Sequence, residues 1–342
     1  MERKLASVQR ALAIHPIENA DAIELAQING WQCVVKKGEF VPGDLGVFFE
    51  IDAIPPELPK LAFLWTSRNA DGPQPRPGNF RIKTMRLRGA LSQGLLMPLS
   101  EFDLSADLAE GDDLTATLGV GKWEPPVPMG MGDWRAPFPA LVRKTDEMRV
   151  QSVPGVLDEL RGQPYVVTLK CDGTSATYCI DPRTDEFHAC GRNQSVLDGE
   201  NHYWRVARKY EIEAALRKAP HLAVQGEICG PGIQKNRLGL KETEFFAFNV
   251  YDQQRGVYLD HDDARAFLAE TNLPAVPVVE EGASFARTLE SLLALAEGKY
   301  DGTQNEREGI VIRPKTERNS LLLAGRLSFK AISNRFLLKE GE

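Results

Sequence analysis

Residues Leu169–Ile180 read LKCDGTSATYCI. Apolar side chains alternate with small or polar ones on either side of Cys-Asp-Gly, which gives two strands joined by a tight turn, with Gly173 permitting the turn. Lys170 then stands at the inner end of an apolar strand, and Asp172, two residues on, shares its face. A lysine has a pKa near ~10.4, so holding it neutral at pH 7 costs about 4 to 5 kcal/mol unless the surroundings favour the amine. Carboxylates alone make this worse, whereas a cation held among them reverses the sign of the local field. The stretch therefore calls for a strand-rich domain in which other strands bring further charges to Lys170.

Such strands follow. YVVTLK, SATYCI, FHACG, LAVQGEIC, EFFAFNVYD, EGIVIRPK and RLSFKAIS have strand patterns, while NHYWRVARKYEIEAALRKA, DDARAFLAET and SFARTLESLLALAEG have apolar residues at helical spacing. The class is α+β with mainly antiparallel sheets. Glu227 sits amid apolar neighbours, Glu308 opens a strand, and Lys330 lies between Phe329 and Ala331. One such charge in a strand ordinarily faces solvent; several on successive strands need another explanation.

Working back toward the N-terminus, GVGKWEPPVPMGMGDWRAPFPA is dense in Pro and Gly and reads as a linker, so the expected division is 1–118, a linker over 119–137, and 138–342. The first segment carries short strand patterns in SVQRALAIHPIE, AIELAQI, WQCVVKKG, DLGVFFEI, RIKTMRLRG and DLTATLGV, the signature of a small antiparallel barrel. Between Gly72 and Ser100 there is no Asp or Glu, whereas Arg76, Arg81, Lys83, Arg86 and Arg88 all fall there. A basic cluster of this kind is either a solvated edge strand or a surface for phosphates.

Composition bounds the rest. The chain has 342 residues and a net charge of -7, which argues against binding nucleic acid over its whole surface. Five scattered cysteines without a Cys-x-x-Cys pair point to reduced thiols in the cytoplasm and away from structural zinc. No run of 18 apolar residues and no leader pattern is present, so neither a signal peptide nor a membrane span is expected, and no obligate protein partner is evident. The five histidines have no ligand spacing.

The ordered set Lys170-Cys171-Asp172-Gly173, Gly191-Arg192, Gln225-Gly226-Glu227, Phe246-Ala247-Phe248, Glu308-Gly309-Ile310-Val311-Ile312 and Ser328-Phe329-Lys330 resembles motifs I, Ia, III, IIIa, IV and V of the covalent nucleotidyltransferases. The phrases KTDEMRVQSVPGVL, GEICGPGIQKNRLG and SFKAISNRFLLKE are most similar to ATP-dependent RNA ligases. HPIENADAIELAQINGWQCVVKKGEFVPGDLGVFFEIDAIP resembles an oligonucleotide/oligosaccharide-binding (OB) barrel, and a barrel ahead of the transferase resembles the Deinococcus-type nick-sealing RNA ligases. One departure stands out: Ser328 occupies a position where many members carry a lysine, so either Arg326 supplies the missing charge or one phosphate contact is absent.

The resemblance implies an enzyme that joins RNA 3'-hydroxyl and 5'-phosphate ends, with Lys170, Asp172, Glu227, Glu308 and Lys330 as the reacting set. ATP is implied as co-substrate, contacted by Arg149, Gln151, Lys170, Arg192, Glu227, Phe246, Phe248 and Lys330, with Phe248 favoured to stack on adenine. Mg2+ or Mn2+ is implied on Asp172, Glu227 and Glu308. Nucleic acid, expected as a nicked duplex, would meet Arg81, Lys83, Arg86 and Arg88 of the barrel. The competing readings are a DNA ligase or other nucleotidyl carrier, and a degenerate homologue that only holds RNA.

Overall fold

The computed structural model describes residues 3–67, 70–124 and 131–341. The chain divides into two compact units. One comprises Met1–Pro125, Gln151–Pro154 and Leu337–Glu342; the other comprises Pro126–Val150 and Gly155–Phe336. Residues 125–130 of the expected linker lie outside the described residues.

In the first unit, strands Ala6–Arg10, Leu45–Phe49 and Leu95–Pro98 form one antiparallel sheet, and Ala13–Pro16, Ile23–Ile28 and Trp31–Lys36 form another. Trp31, Cys33 and Val35 alternate inward against Val47, Phe48, Phe49 and Leu96. SVQRALAIHPIE is two strands because the chain changes sheets at Ala11 and Leu12, whose N–H groups go to Asp44 and Gln27 carbonyls. DLTATLGV is not a strand but a series of turns. Its Asp113 side chain takes the Thr115 N–H at 2.9 Å, a local bond that competes with a ladder. Only Thr84–Leu87 of RIKTMRLRG is a strand, joined to Ala90–Gln93 by Arg88 and Gly89, both at positive φ, as a two-residue hairpin turn requires.

The second unit holds two larger sheets. The five-stranded sheet runs Met148–Arg149, Phe329–Ile332, Gly309–Pro314, Tyr165–Lys170, Val278–Gly282. The seven-stranded sheet runs Trp134–Pro137, Gln194–Val196, Glu186–Cys190, Thr174–Asp181, Leu222–Cys229, Glu244–Asp252, Val257–Tyr258. Tyr178, Ile180, Val224, Phe245 and Val250 of the larger sheet are buried with Tyr203, Val206, Ile212 and Leu216 of two helices. Those helices, His202–Lys209 and Ile212–Lys218, correspond to the single helix expected over NHYWRVARKYEIEAALRKA; the left-handed Glu211 (φ 49°) interrupts the run. No helix among the described residues is long and apolar enough to cross a membrane.

Gly173 has a different task from the one expected. Its φ is not positive, but a Cβ there would lie 2.3 Å from the Ile228 carbonyl oxygen, so glycine lets the turn after Lys170 press onto the Leu222–Cys229 strand.

Candidate active site

Lys170 ends its strand opposite Gly309, and its Nζ donates to Glu308 Oε2 at 2.7 Å. Burial alone would lower its proton affinity. Glu308, Glu227 and Asp172 outweigh that and hold the ammonium well above its ordinary value. The carboxylates thus answer the desolvation problem by keeping Lys170 charged.

Glu227 faces this cluster from the neighbouring sheet, where it pairs in register with Ser175 and Phe246. Burial pushes its carboxyl up to about 8, with Glu308 and Asp172 adding to the rise and Lys170 and Arg192 opposing it. Asp172 forms an ion pair with Arg237 at 3.1 Å, and that guanidinium lies over the Phe336 ring. Among the described residues, no three His, Cys, Asp or Glu side chains are grouped closely enough to make a ready metal cage. The expected set of Asp172, Glu227 and Glu308 shares one electrostatic field, but Arg237 and Lys170 already occupy two of its members.

Lys330 pairs in register with Val311 on one side and Arg149 on the other. Its Nζ donates to Asp146 Oδ1 at 3.3 Å, and Arg192 reaches Asp146 Oδ2 at 2.9 Å, so one carboxylate bridges two cations expected to meet phosphates. Burial lowers the Lys330 proton affinity; Asp146 raises it, and Lys170 and Arg149 lower it further, for a net fall.

Phe246 and Phe248 share a strand face and pack with Cys171, Cys229, Val276 and Leu169. Arg313 lies over the Phe248 ring at 6.0 Å from its centroid. Gln151 is grouped with the barrel unit, where its carbonyl accepts from Gly30 N–H; its buried side-chain amide has no hydrogen-bond partner. In the barrel, Arg81 lies 3.3 Å over the Trp123 ring and 3.7 Å from Asp52, with 10% of its side chain exposed. Arg86 and Arg88 are exposed at the hairpin end, and Lys83 is half-buried.

The OB-fold domain family matches residues 5–99, and the RNA ligase family matches residues 163–332. A Naegleria gruberi RNA ligase variant solved with AMP and Mn is 36% identical, with a TM-score of 0.87 over 99% of both chains. The chain belongs to the RNA ligase family. The same Naegleria ligase with PPi gives the same identity, score and coverage, and a variant with ATP and Mn gives 36% identity and 0.88 over 99% of this chain and 100% of that one. No curated protein matches.

Three side chains of the ligase site were not singled out from the sequence. Asp146 and Arg237 lie on irregular segments, so nothing periodic marked them. The third, Arg313, meets the serine that departs from the family pattern. Its Nε donates to Ser328 Oγ at 2.9 Å, its NH2 to Glu147 at 2.9 Å and its NH1 to the Phe248 carbonyl at 2.9 Å. Arg326, the expected substitute for the missing lysine, points elsewhere, paired with Glu317 and with Asn249 Oδ1 at 2.7 Å. Burial would raise the Glu147 carboxyl, but Arg313, Arg326 and Lys330 together hold it below its ordinary value. A clue to Arg313 was available: a charged residue directly after the apolar run Ile310-Val311-Ile312.

Proposed function

We propose that Lys170 is the nucleophile of this ATP-dependent RNA ligase. The observation that carries the reading is the 2.7 Å contact between Lys170 Nζ and Glu308, with Glu227 and Asp172 adding their charges to the same amine. Nζ gives up a proton and attacks the α-phosphorus of ATP; an N–P bond forms, the P–O bond to the β-phosphate breaks, and pyrophosphate leaves with the electron pair. AMP then passes from Lys170 to an RNA 5'-phosphate, and a 3'-hydroxyl displaces it to close the phosphodiester. Each step is an in-line phosphoryl transfer, governed by position and by neutralising oxygens. Lys330 and Arg192 are suited to phosphate oxygens once Asp146 yields them. Phe248 offers a ring for adenine, and Arg149 and Phe246 complete the proposed nucleotide contacts.

Mg2+ or Mn2+ fits this donor set. Glu227 has no hydrogen-bond partner among the described residues, and burial, with Glu308 and Asp172 adding to it, raises its proton affinity, so a cation placed there would stabilise the carboxylate. Divalent cations commonly take one or two carboxylates and complete their shell with substrate phosphates and water, so Glu227, with Glu308 and Asp172 nearby, suffices without a cage. The bound cation supplies positive charge that favours the neutral amine and shields the phosphates. A nicked duplex is the proposed substrate, with Arg86, Arg88 and Lys83 toward its phosphates and Arg81 bracing the barrel. The ligase is assigned to the cytoplasm on its five free, buried cysteines.

Incubation with α-labelled ATP and Mg2+ or Mn2+ tests the reading. Label should become covalently attached at Lys170 through a linkage that survives alkali and is released by acid, as a phosphoramidate is, and GTP should fail. Lys170→Ala should abolish labelling, while sealing of pre-adenylylated RNA survives in part. Undiminished labelling of Lys170→Ala protein would remove Lys170 from its role.

A further inference from the structure

Tyr300 lies outside every motif above, in the irregular segment GKYDGTQNEREG, and is 3% exposed. Its phenol oxygen donates to the Lys170 carbonyl at 3.0 Å and accepts the Asp172 N–H at 3.0 Å and the Glu308 N–H at 3.2 Å. One O–H and two acceptor directions exhaust the bonding capacity of a phenol, and all three go to backbone groups of the residues proposed to do the chemistry. In-register pairing between the lysine strand and its neighbour ends at Lys170 and Gly309, so Asp172 and Glu308 lie just past the ladder. Tyr300 takes over where the ladder stops.

The segment bearing Tyr300 is itself fixed. Tyr300 N–H donates to the Asn305 carbonyl at 3.0 Å, and Arg307 N–H to the Gly298 carbonyl at 2.9 Å. The Asn305 side chain donates to the Arg237 carbonyl at 2.8 Å, and the Arg237 guanidinium pairs with Asp172 at 3.1 Å. Tyr300, Asp172, Arg237 and Asn305 thus close a ring of polar contacts around the turn that follows Lys170.

We infer that Tyr300 is a positioning residue for adenylylation: through the backbone it sets where the Lys170 amine and the Glu308 carboxylate stand relative to each other. The inference rests on reading Lys170 as the nucleophile. In-line attack is sensitive to displacement, and about 1 Å of misplacement costs on the order of 100-fold in rate. Tyr300→Phe keeps the ring in its pocket and removes all three bonds.

The test is single-turnover adenylylation of the full-length ligase, with hydrogen–deuterium exchange measured on the same proteins. For Tyr300→Phe, the rate at saturating ATP should fall roughly 30-fold while the ATP concentration for half-saturation stays within about threefold. Exchange in peptides spanning 171–173 and 307–309 should accelerate without a general loss of protection. Tyr165→Phe, which removes a phenol whose bond goes to Glu280, should leave the rate unchanged. If Tyr300→Phe does not fold, Asn305→Ala decides, with an expected loss of about fivefold at unchanged half-saturation. A wild-type rate in the folded variant, faster exchange without a slower rate, or a loss lying wholly in ATP affinity would overturn the inference. Mapping the AMP of the wild-type protein keeps the two questions apart: AMP found away from Lys170 refutes the nucleophile, whereas AMP on Lys170 with an unimpaired Tyr300→Phe refutes only the positioning.

Discussion

A carboxyl buried beside two others lowers its energy by keeping its proton or by gaining a cation, and Glu227 is in that position. Its proton affinity in the folded ligase, about 8 against an ordinary 4.5, means that between those values the native state binds more protons than the unfolded chain. Stability contributed by this group therefore falls as pH rises through that window, because the slope of unfolding free energy follows protons bound in the unfolded state minus those in the native. In chelator, Glu227→Gln should lose less stability than wild type between about pH 5 and pH 8, a comparison urea midpoints make directly. The same variant should lose at least ~100-fold in adenylylation. Equal slopes together with near-normal adenylylation would take Glu227 out of the site. Lys170, Glu227 and Lys330 were legible because each sets a charge in an apolar strand, and Glu308 because it immediately precedes one. Tyr300, Asp146 and Arg237 were not, since their importance arises only when irregular segments meet the ends of those strands.

Between elements, the decisive contacts are close approaches that periodicity does not encode. The strand positions in YVVTLK, SATYCI, LAVQGEIC, EFFAFNVYD and EGIVIRPK came through because each is a short run rich in β-branched, aromatic and other apolar residues, buried along most of its length. The interruption at Glu211 and the turns of DLTATLGV did not, because one left-handed residue or one side-chain bond to the backbone overrides a local pattern. Gly173 exposes the same limit. Gly173→Ala should force the turn away from the Ile228 carbonyl and destabilise the ligase by about 1 to 3 kcal/mol, with adenylylation falling as Lys170 moves. Arg313→Met should cost more, about 3 to 5 kcal/mol, because Glu147 is left as a buried charge without Arg313, its closest cation. Urea denaturation of both variants checks the order; a milder effect at Arg313 than at Gly173 would mean that Arg326 and Lys330 alone satisfy Glu147.

At the scale of the whole molecule, composition placed a boundary in the Pro/Gly-rich stretch but had no means of showing that Gln151–Pro154 and Leu337–Glu342 associate with the barrel. Short segments that return to another unit carry no local signal. The division of labour proposed for the two units can nevertheless be tested in the intact chain. The hairpin Thr84–Leu87 and Ala90–Gln93 leaves Met85, Arg86, Leu87 and Arg88 exposed, with Arg88 held at a left-handed φ of 50° that favours Gly, Asn or Asp. Replacing Arg86 and Arg88 by Gln removes two solvent-facing cations without touching the barrel core, so folding and self-adenylylation should be unchanged. If both arginines meet phosphates, affinity for a nicked duplex should fall about tenfold at moderate salt, and the slope of log affinity against log salt should shrink by roughly 1.5 to 2. Arg81→Gln should act differently: because Arg81 stacks on Trp123 and faces Asp52, its loss should lower barrel stability and leave the slope nearly as it was. An unchanged slope in the Arg86/Arg88 double variant, with sealing at the wild-type rate, would assign the hairpin to the solvated edge of the barrel and move the nucleic-acid contacts elsewhere on the ligase.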